Sequence, residues 1–190
     1  QQELTLQLAL GMPLVFTRGF SSPEVHATYA RARELCQQVG ETRQLFPTLY
    51  GLRTVHQVGG EFSVARELGE QLLSLAQRVQ DPALLVEAHW ALGFTLCHLG
   101  ELGVARTHLE QGLTLYDVQQ HRSPVFPYDR VAEFTSLFFA ARVLWLLGYP
   151  AQALQKSEAA CTLAQELSHT FTLTAARVLT AMTHQFRRES

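Results

Sequence analysis

The residue types that could do chemistry in this 190-residue chain are eight histidines, three cysteines and a scatter of arginines and carboxylates. Zinc needs three or four converging ligands. Cys97-His98 and His108 flank one turn and could approach each other, but the chain has no His-x-x-x-His or Cys-x-x-Cys pair. Ser, His and Asp occur without a nucleophile elbow or a recognisable catalytic spacing. The phosphate-cradling loop Gly-x-x-x-x-Gly-Lys-Ser/Thr is absent, and the single lysine, Lys156, follows no glycine loop. The expectation is no catalytic residue, no metal and no cofactor. What remains is recognition by aromatic and Arg side chains, the types that anchor binding interfaces.

Such side chains need elements to hold them. Leu- and Ala-rich stretches recur along the chain, and no stretch alternates β-branched with polar residues, so the pattern predicts helices and no strands. The breaks fall at Gly19 to Pro23, Gly40, Gly59-Gly60, Asp81-Pro82, Gly100, His121 to Asp129, Gly148-Tyr149-Pro150 and Ser168-His169, which leaves nine helical segments. Asp81-Pro82 and Ser22-Pro23 read as an N-cap followed by proline at the first helical position.

The segments repeat. Gly60-Glu61-Phe62-Ser63-Val64-Ala65-Arg66 matches Gly100-Glu101-Leu102-Gly103-Val104-Ala105-Arg106 at a spacing of 40, and Gly148 to Ala153 is a third copy 48 residues on. A helix, a tight turn at Gly and an antiparallel helix make one unit. The Ala five residues after the turn (Ala65, Ala105, Ala153) is expected where the two helices cross. Gly93 is expected at another close helix contact. No single helix hides its apolar stripe, so the pairs must stack into one continuous core. The units are expected over residues 2–40, 43–80, 82–120 and 130–168, with a final helix over 170–187.

The pattern resembles tetratricopeptide repeats, most clearly in His89-x-x-Leu92-Gly93-x-x-Leu96-x-x-x-Gly100-x-Leu102-x-x-Ala105. In the unit before it, Arg53 occupies the small-residue position, and Gly51 is the candidate to replace it in a shifted register. The segments Tyr29-x-Arg31-Ala32-Arg33-Glu34-Leu35, Tyr50-Gly51-Leu52-Arg53, Asp81-Pro82-Ala83-Leu84-Leu85-x-Glu87-Ala88-His89 and Leu147-Gly148-Tyr149-Pro150-x-x-Ala153 are similar to the helical tail of bacterial multidomain STAND/AAA-type ATPases. Those proteins carry a nucleotide cyclase or winged-helix domain at the other end. Of that family's Gly-x-Asp-Pro-Gly segment, only Asp129 is kept. The resemblance implies an all-α, right-handed superhelix that serves as a non-catalytic sensing or scaffolding module. It implies an upstream ATPase of the same chain as a partner, with the ATPase and cyclase chemistry outside this segment.

Stacked repeats curve, and the first helix of each unit lines the concave face. Counting from the turn glycines places Tyr50, Thr54 and Gln57 on that face. Glu87, Trp90, Phe94, Cys97 and His98 follow in the next unit, and Phe138, Arg142 and Trp145 in the third. This is an aromatic ladder, Tyr50–Trp90–Phe138, with Glu87 and Arg142 beside it. The competing reading is that the same stripe is packed core, the usual fate of an apolar helical stripe.

Composition narrows the partners. Fifteen basic against 17 acidic residues give a net charge of -2, which argues against nucleic acid. The longest apolar runs fall far short of the roughly 20 residues of a membrane span. Cys36, Cys97 and Cys161, about 60 residues apart, form no disulfide framework and suit a reducing, cytoplasmic setting. Gln1-Gln2-Glu3 has neither a Met start nor the basic and apolar blocks of a signal peptide, so a piece of a longer protein is expected. A protein, peptide or small effector is the expected ligand. The alternative is a homo-oligomerisation element that uses the open end of the stack.

Overall fold

The computed structural model describes residues 2–20, 22–39, 44–116, 131–168 and 170–187. Among these, every element is an α-helix: α1 (Gln2–Arg18), α2 (Pro23–Val39), α3 (Leu45–Val58), α4 (Phe62–Val79), α5 (Pro82–His98), α6 (Leu102–Leu115), α7 (Val131–Leu146), α8 (Pro150–Leu167) and α9 (Thr170–Arg187). Gly40 and the stretch 121–129, with Asp129, lie outside the described residues.

Local chemistry explains the boundaries. The Asp81 carboxylate accepts hydrogen bonds from the backbone N–H groups of Ala83 and Leu84 at 2.9 and 3.3 Å, and Pro82 opens α5. The Ser22 hydroxyl accepts from the Val25 N–H at 3.2 Å at the start of α2. Three turns close in the same way. Gly60, Gly100 and Gly148 have φ near +80° (80°, 79° and 84°), a conformation that costs other residues a clash between Cβ and backbone. In each, the next N–H reaches back across the turn: Glu61 to the His56 carbonyl at 2.9 Å, Glu101 to Leu96 at 3.0 Å, Tyr149 to Leu144 at 2.9 Å. Ala65, Ala105 and Ala153, five residues past these glycines, are buried where the second helix of the pair begins.

Each helix packs against its neighbours in sequence, and α1–α3, α3–α5, α5–α7 and α7–α9 also touch. No two even-numbered helices touch comparably among the described residues. The odd helices therefore form the inner layer of a curved stack and the even helices its outer layer. α5, with neighbours on every side, is buried around most of its circumference from Val86 to Cys97. The outer layer carries a repeating bridge between units. Arg66 reaches Glu101 of the next turn at 2.7 Å, and Arg106, 40 residues on, lies 5.1 Å from the Tyr149 ring of the turn after that.

The inner layer has one unusually tight joint. A Cβ on Gly11 of α1 would strike the Tyr29 hydroxyl, and a Cβ on Gly51 of α3 would strike the same ring's edge. Tyr29 of α2 is thus wedged between two glycines. Gly51 provides the close approach that the neighbouring Arg53 prevents at its own position.

Candidate functional site

The inner face encloses a cavity of about 660 Å³. α1 lines one end with Leu8, Met12 and Val15, joined by Phe20 and Tyr29; α3 and α5 line the middle; α7 closes the far side with Ala132, Thr135 and Phe139. The walls are almost wholly apolar, and the polar groups cluster on α3 and α5. Pockets of about 300–1,000 Å³ with few, placed polar groups are the usual form of small-ligand sites.

Arg53 is the centre of that cluster. It is 1% exposed, the largest fully buried side chain described in the protein. Its guanidinium carbon lies 5.8 Å from the Tyr50 ring centre, 5.2 Å from Trp90 and 5.1 Å from Phe94. Nη2 donates to Thr95 Oγ1 at 3.3 Å and Gln57 Oε1 at 3.4 Å, while the Thr95 hydroxyl is 2.7 Å from the same Gln57 oxygen. Burying a cation costs several kcal/mol. Each ring face returns about 0.5–2 kcal/mol, so the aromatic box offsets much of that cost. Burial pushes the Arg53 pKa down to about 10, which still leaves a cation at neutral pH. Glu87, also fully buried, stands on the same wall. Burial first, and the Glu87 carboxylate second, raise the Tyr50 phenol well above its usual range, partly opposed by Arg53.

The rings form a continuous stack. Tyr50 lies 6.2 Å from Trp90 and nearly parallel to it, Trp90 lies 5.4 Å from Phe94, and Phe94 meets Phe139 edge-on at 4.5 Å. Tyr50, Thr54, Gln57, Glu87, Trp90 and Phe94 of the expected groove set line this cavity together. Cys97 is buried on α5 against Leu96 and Val143 rather than in the cavity. His98 is exposed beyond the cavity; it stacks on Phe62 at 5.4 Å, and its Nδ1 lies 2.9 Å from the Phe94 carbonyl oxygen.

Phe138, Arg142 and Trp145 go elsewhere. They turn toward α9, where with Leu179, Met182 and Phe186 they surround a space of only about 10 Å³. The Trp145 ring stacks on Phe186 at 5.6 Å. The rung on α7 that continues the ladder is Phe139, one residue away from Phe138. Arg53, Tyr29 and Thr135 also line the cavity, although the sequence pattern did not assign them to the groove. The available signal was Arg53 itself, because a long cation at a position reserved for small side chains must find space and partners on the inner face.

His108 does not approach His98; its Nδ1 lies 3.0 Å from Nδ1 of His89 across the α5–α6 contact. Burial and His108 together push the His89 pKa down to about 4. Among the described residues no three His, Cys, Asp or Glu side chains converge as a metal site would require, and no helix is long and apolar enough to cross a membrane.

The same arrangement of helix pairs occurs in known structures. The apo form of RapI superposes with a TM-score of 0.81 over 98% of this chain and 66% of its own, at 13% identity. The fold is a TPR-like α-solenoid. NprR in complex with its cognate peptide NprX gives a TM-score of 0.76 over 98% of this chain and 51% of its own, also at 13% identity. The nearly identical TPR-like repeats of a kinesin light chain from Podosopora anserina give 0.68 over 97% and 86%, at 17% identity. This solenoid thus spans two thirds or less of the RapI and NprR chains it matches. No family model and no curated protein match the sequence.

Proposed function

We propose that this solenoid is a non-catalytic sensing module whose concave cavity takes a peptide or small effector. The observation that carries the reading is a cavity of about 660 Å³, lined by four odd-numbered helices and Tyr29 of α2 around a buried cation. The buried Arg supports a ligand-binding role, since apolar replacements of buried charges are often neutral or stabilising and stability alone gives little reason to keep one. NprR, of the same fold at low identity, was solved with a peptide. The similarity of the sequence to the helical tails of STAND/AAA-type ATPases supports a second step, regulation of an attached ATPase or cyclase in the cytoplasm. A ligand that contacts four helices at once prefers one curvature of the stack. Differential affinity for two curvatures is all that such coupling requires.

The test uses a neutral apolar dye, N-phenyl-1-naphthylamine, on the Trp145→Phe background so that Trp90 is the only tryptophan. One dye per chain should bind and quench Trp90. Thr54→Trp, which fills the cavity from α3, should abolish binding while the chain still melts cooperatively. An absence of dye binding, or undiminished binding to Thr54→Trp, overturns the reading. Dye binding that disappears as the chain self-associates would instead favour the homo-oligomerisation element.

A further inference from the structure

Resting on that reading, we infer that the cavity's ligand is a small apolar carboxylic acid, held by Arg53 and the Trp90 indole at one end and by the α1 wall at the other. Two side chains that line the cavity each carry a buried donor without an acceptor in the protein: Arg53 Nε–H and Trp90 Nε1–H. Buried donors of native proteins are nearly always paired, so two orphans on one wall point to an acceptor supplied from outside. They belong to a cation and to the ring it lies against, 5.2 Å away. Nη2 is already engaged by Thr95 and Gln57, so the donors without an acceptor are the Nε–H and the indole N–H, and a guanidinium N–H bonds most strongly to a charged oxygen. The acceptor that fits is therefore an oxyanion, and a carboxylate fits it best.

The rest of the cavity defines the body of the ligand. Leu8, Ala9, Met12, Val15 and Phe20 offer no polar side-chain atom. An extended peptide would bring a backbone N–H and C=O at every residue, each needing a partner. Beyond Arg53 and Trp90 the wall's polar side chains are Tyr29, Tyr50, Thr54, Gln57, Glu87 and Thr135, and Tyr50, Glu87 and Thr135 already have partners in the protein. The chain contains no Asn. Gln57 already serves Arg53 and Thr95, and the Thr54 hydroxyl is held by the Tyr50 carbonyl at 2.8 Å. A polar head at α3–α5 and a hydrocarbon tail toward α1 match the distribution of groups, and a long peptide does not.

Both orphan N–H atoms are covered in this structure. A carboxylate reaches them when the Trp90 ring, which is only half-buried, turns from over the guanidinium. Binding of the acid should therefore change Trp90 emission, whereas an apolar molecule that fills only the α1 end should leave it nearly unchanged.

The experiment displaces the neutral dye from the Trp145→Phe protein with decanoate, methyl decanoate or decanol. Decanoate is expected to bind at least tenfold more tightly than either neutral analogue and to shift Trp90 emission. Arg53→Met should abolish that preference while still binding the dye. Trp90→Phe, which keeps the ring and removes the N–H, should reduce the preference severalfold. Glu87→Gln, which removes the carboxyl group from the wall, should leave decanoate bound at least as tightly. Equal affinity for acid and alcohol, or a preference that survives in Arg53→Met, overturns the inference while leaving the dye-binding cavity intact. Loss of decanoate binding in Glu87→Gln also overturns it. A free-acid apolar hexapeptide that outcompetes decanoate overturns the assignment to a small molecule. If Arg53→Met does not fold, Trp90→Phe and the acid-to-ester ratio of the parent decide the question.

Discussion

The wall formed by α3 and α5 and the seam between α7 and α9 are built from the same kinds of residue, yet they behave as opposites. Each has an Arg beside Trp and Phe on an inner-layer helix. At Arg53 the aromatic rings surround a buried cation and face about 660 Å³ of space. At Arg142 the next helix closes down, Trp145 stacks on Phe186, and about 10 Å³ remains. An aromatic–Arg stripe is thus a groove only where the curvature of the stack holds the facing helix away. Where α9 packs onto α7, the same stripe is covered from one side, with Phe138, Arg142 and Trp145 left half-buried and no ligand-sized cavity between the helices.

Substitutions on the two sides test that contrast. The largest effect is expected at Phe134, 1% exposed in the cluster that joins α7, α8 and α9. Phe134→Ala should lower stability by about 3–5 kcal/mol, the range for a fully buried ring, without altering the affinity of the cavity dye. A loss below about 1 kcal/mol in a denaturant titration would mean that the seam is as loosely filled as the cavity.

The rear of α5 offers the next comparison, because it faces α6 rather than the cavity. A Cβ on Gly93 would lie 2.8 Å from Leu109 Cγ and 3.3 Å from the Ala105 carbonyl. Gly93→Leu should cost about 3 kcal/mol, the upper end of the usual range for overpacking. An unchanged melt would show that α5 and α6 can separate and that the cavity-bearing helix is not anchored from behind.

The histidine pair on the same surface should make stability depend on pH. His89 titrates near 4 in the folded chain and close to 6.5 in the unfolded one. His108 is shifted down as well, by burial. Between those values the unfolded chain holds the extra proton, so stability present above about pH 6.5 is lost as pH falls toward 4. The loss should be on the order of 3 kcal/mol, and His89→Leu should flatten it. A parent protein whose melting temperature does not move through this window would remove the pair from the account.

The smallest effect is expected at Arg142. Arg142→Ala should change stability by less than about 1 kcal/mol and leave dye and decanoate affinities within twofold of the parent. A tenfold loss of either affinity would join the seam and the cavity into one site.

Much of this architecture is legible in the sequence. The Gly60, Gly100 and Gly148 turns, the alanines that follow them and the Asp81-Pro82 start are local features, settled by backbone conformation and hydrogen bonds within a few residues. Their repetition at spacings of 40 and 48 is enough to specify antiparallel pairs, and pairs with unsatisfied apolar stripes must stack. The same reasoning finds Tyr50, Trp90 and Phe94 on one face, because it needs only the period of a helix. It does not decide which rotation of α7 meets that face. Successive helical residues differ by about 100° in direction, so a one-residue uncertainty exchanges Phe139, which continues the ladder, for Phe138, which faces α9. Nor does it reveal that Tyr29 lodges between Gly11 and Gly51, or that Arg53 is taken in by three rings from two helices. Those outcomes depend on the curvature of the stack and on packing between residues dozens of positions apart, and they are decided only when all the helices are in place.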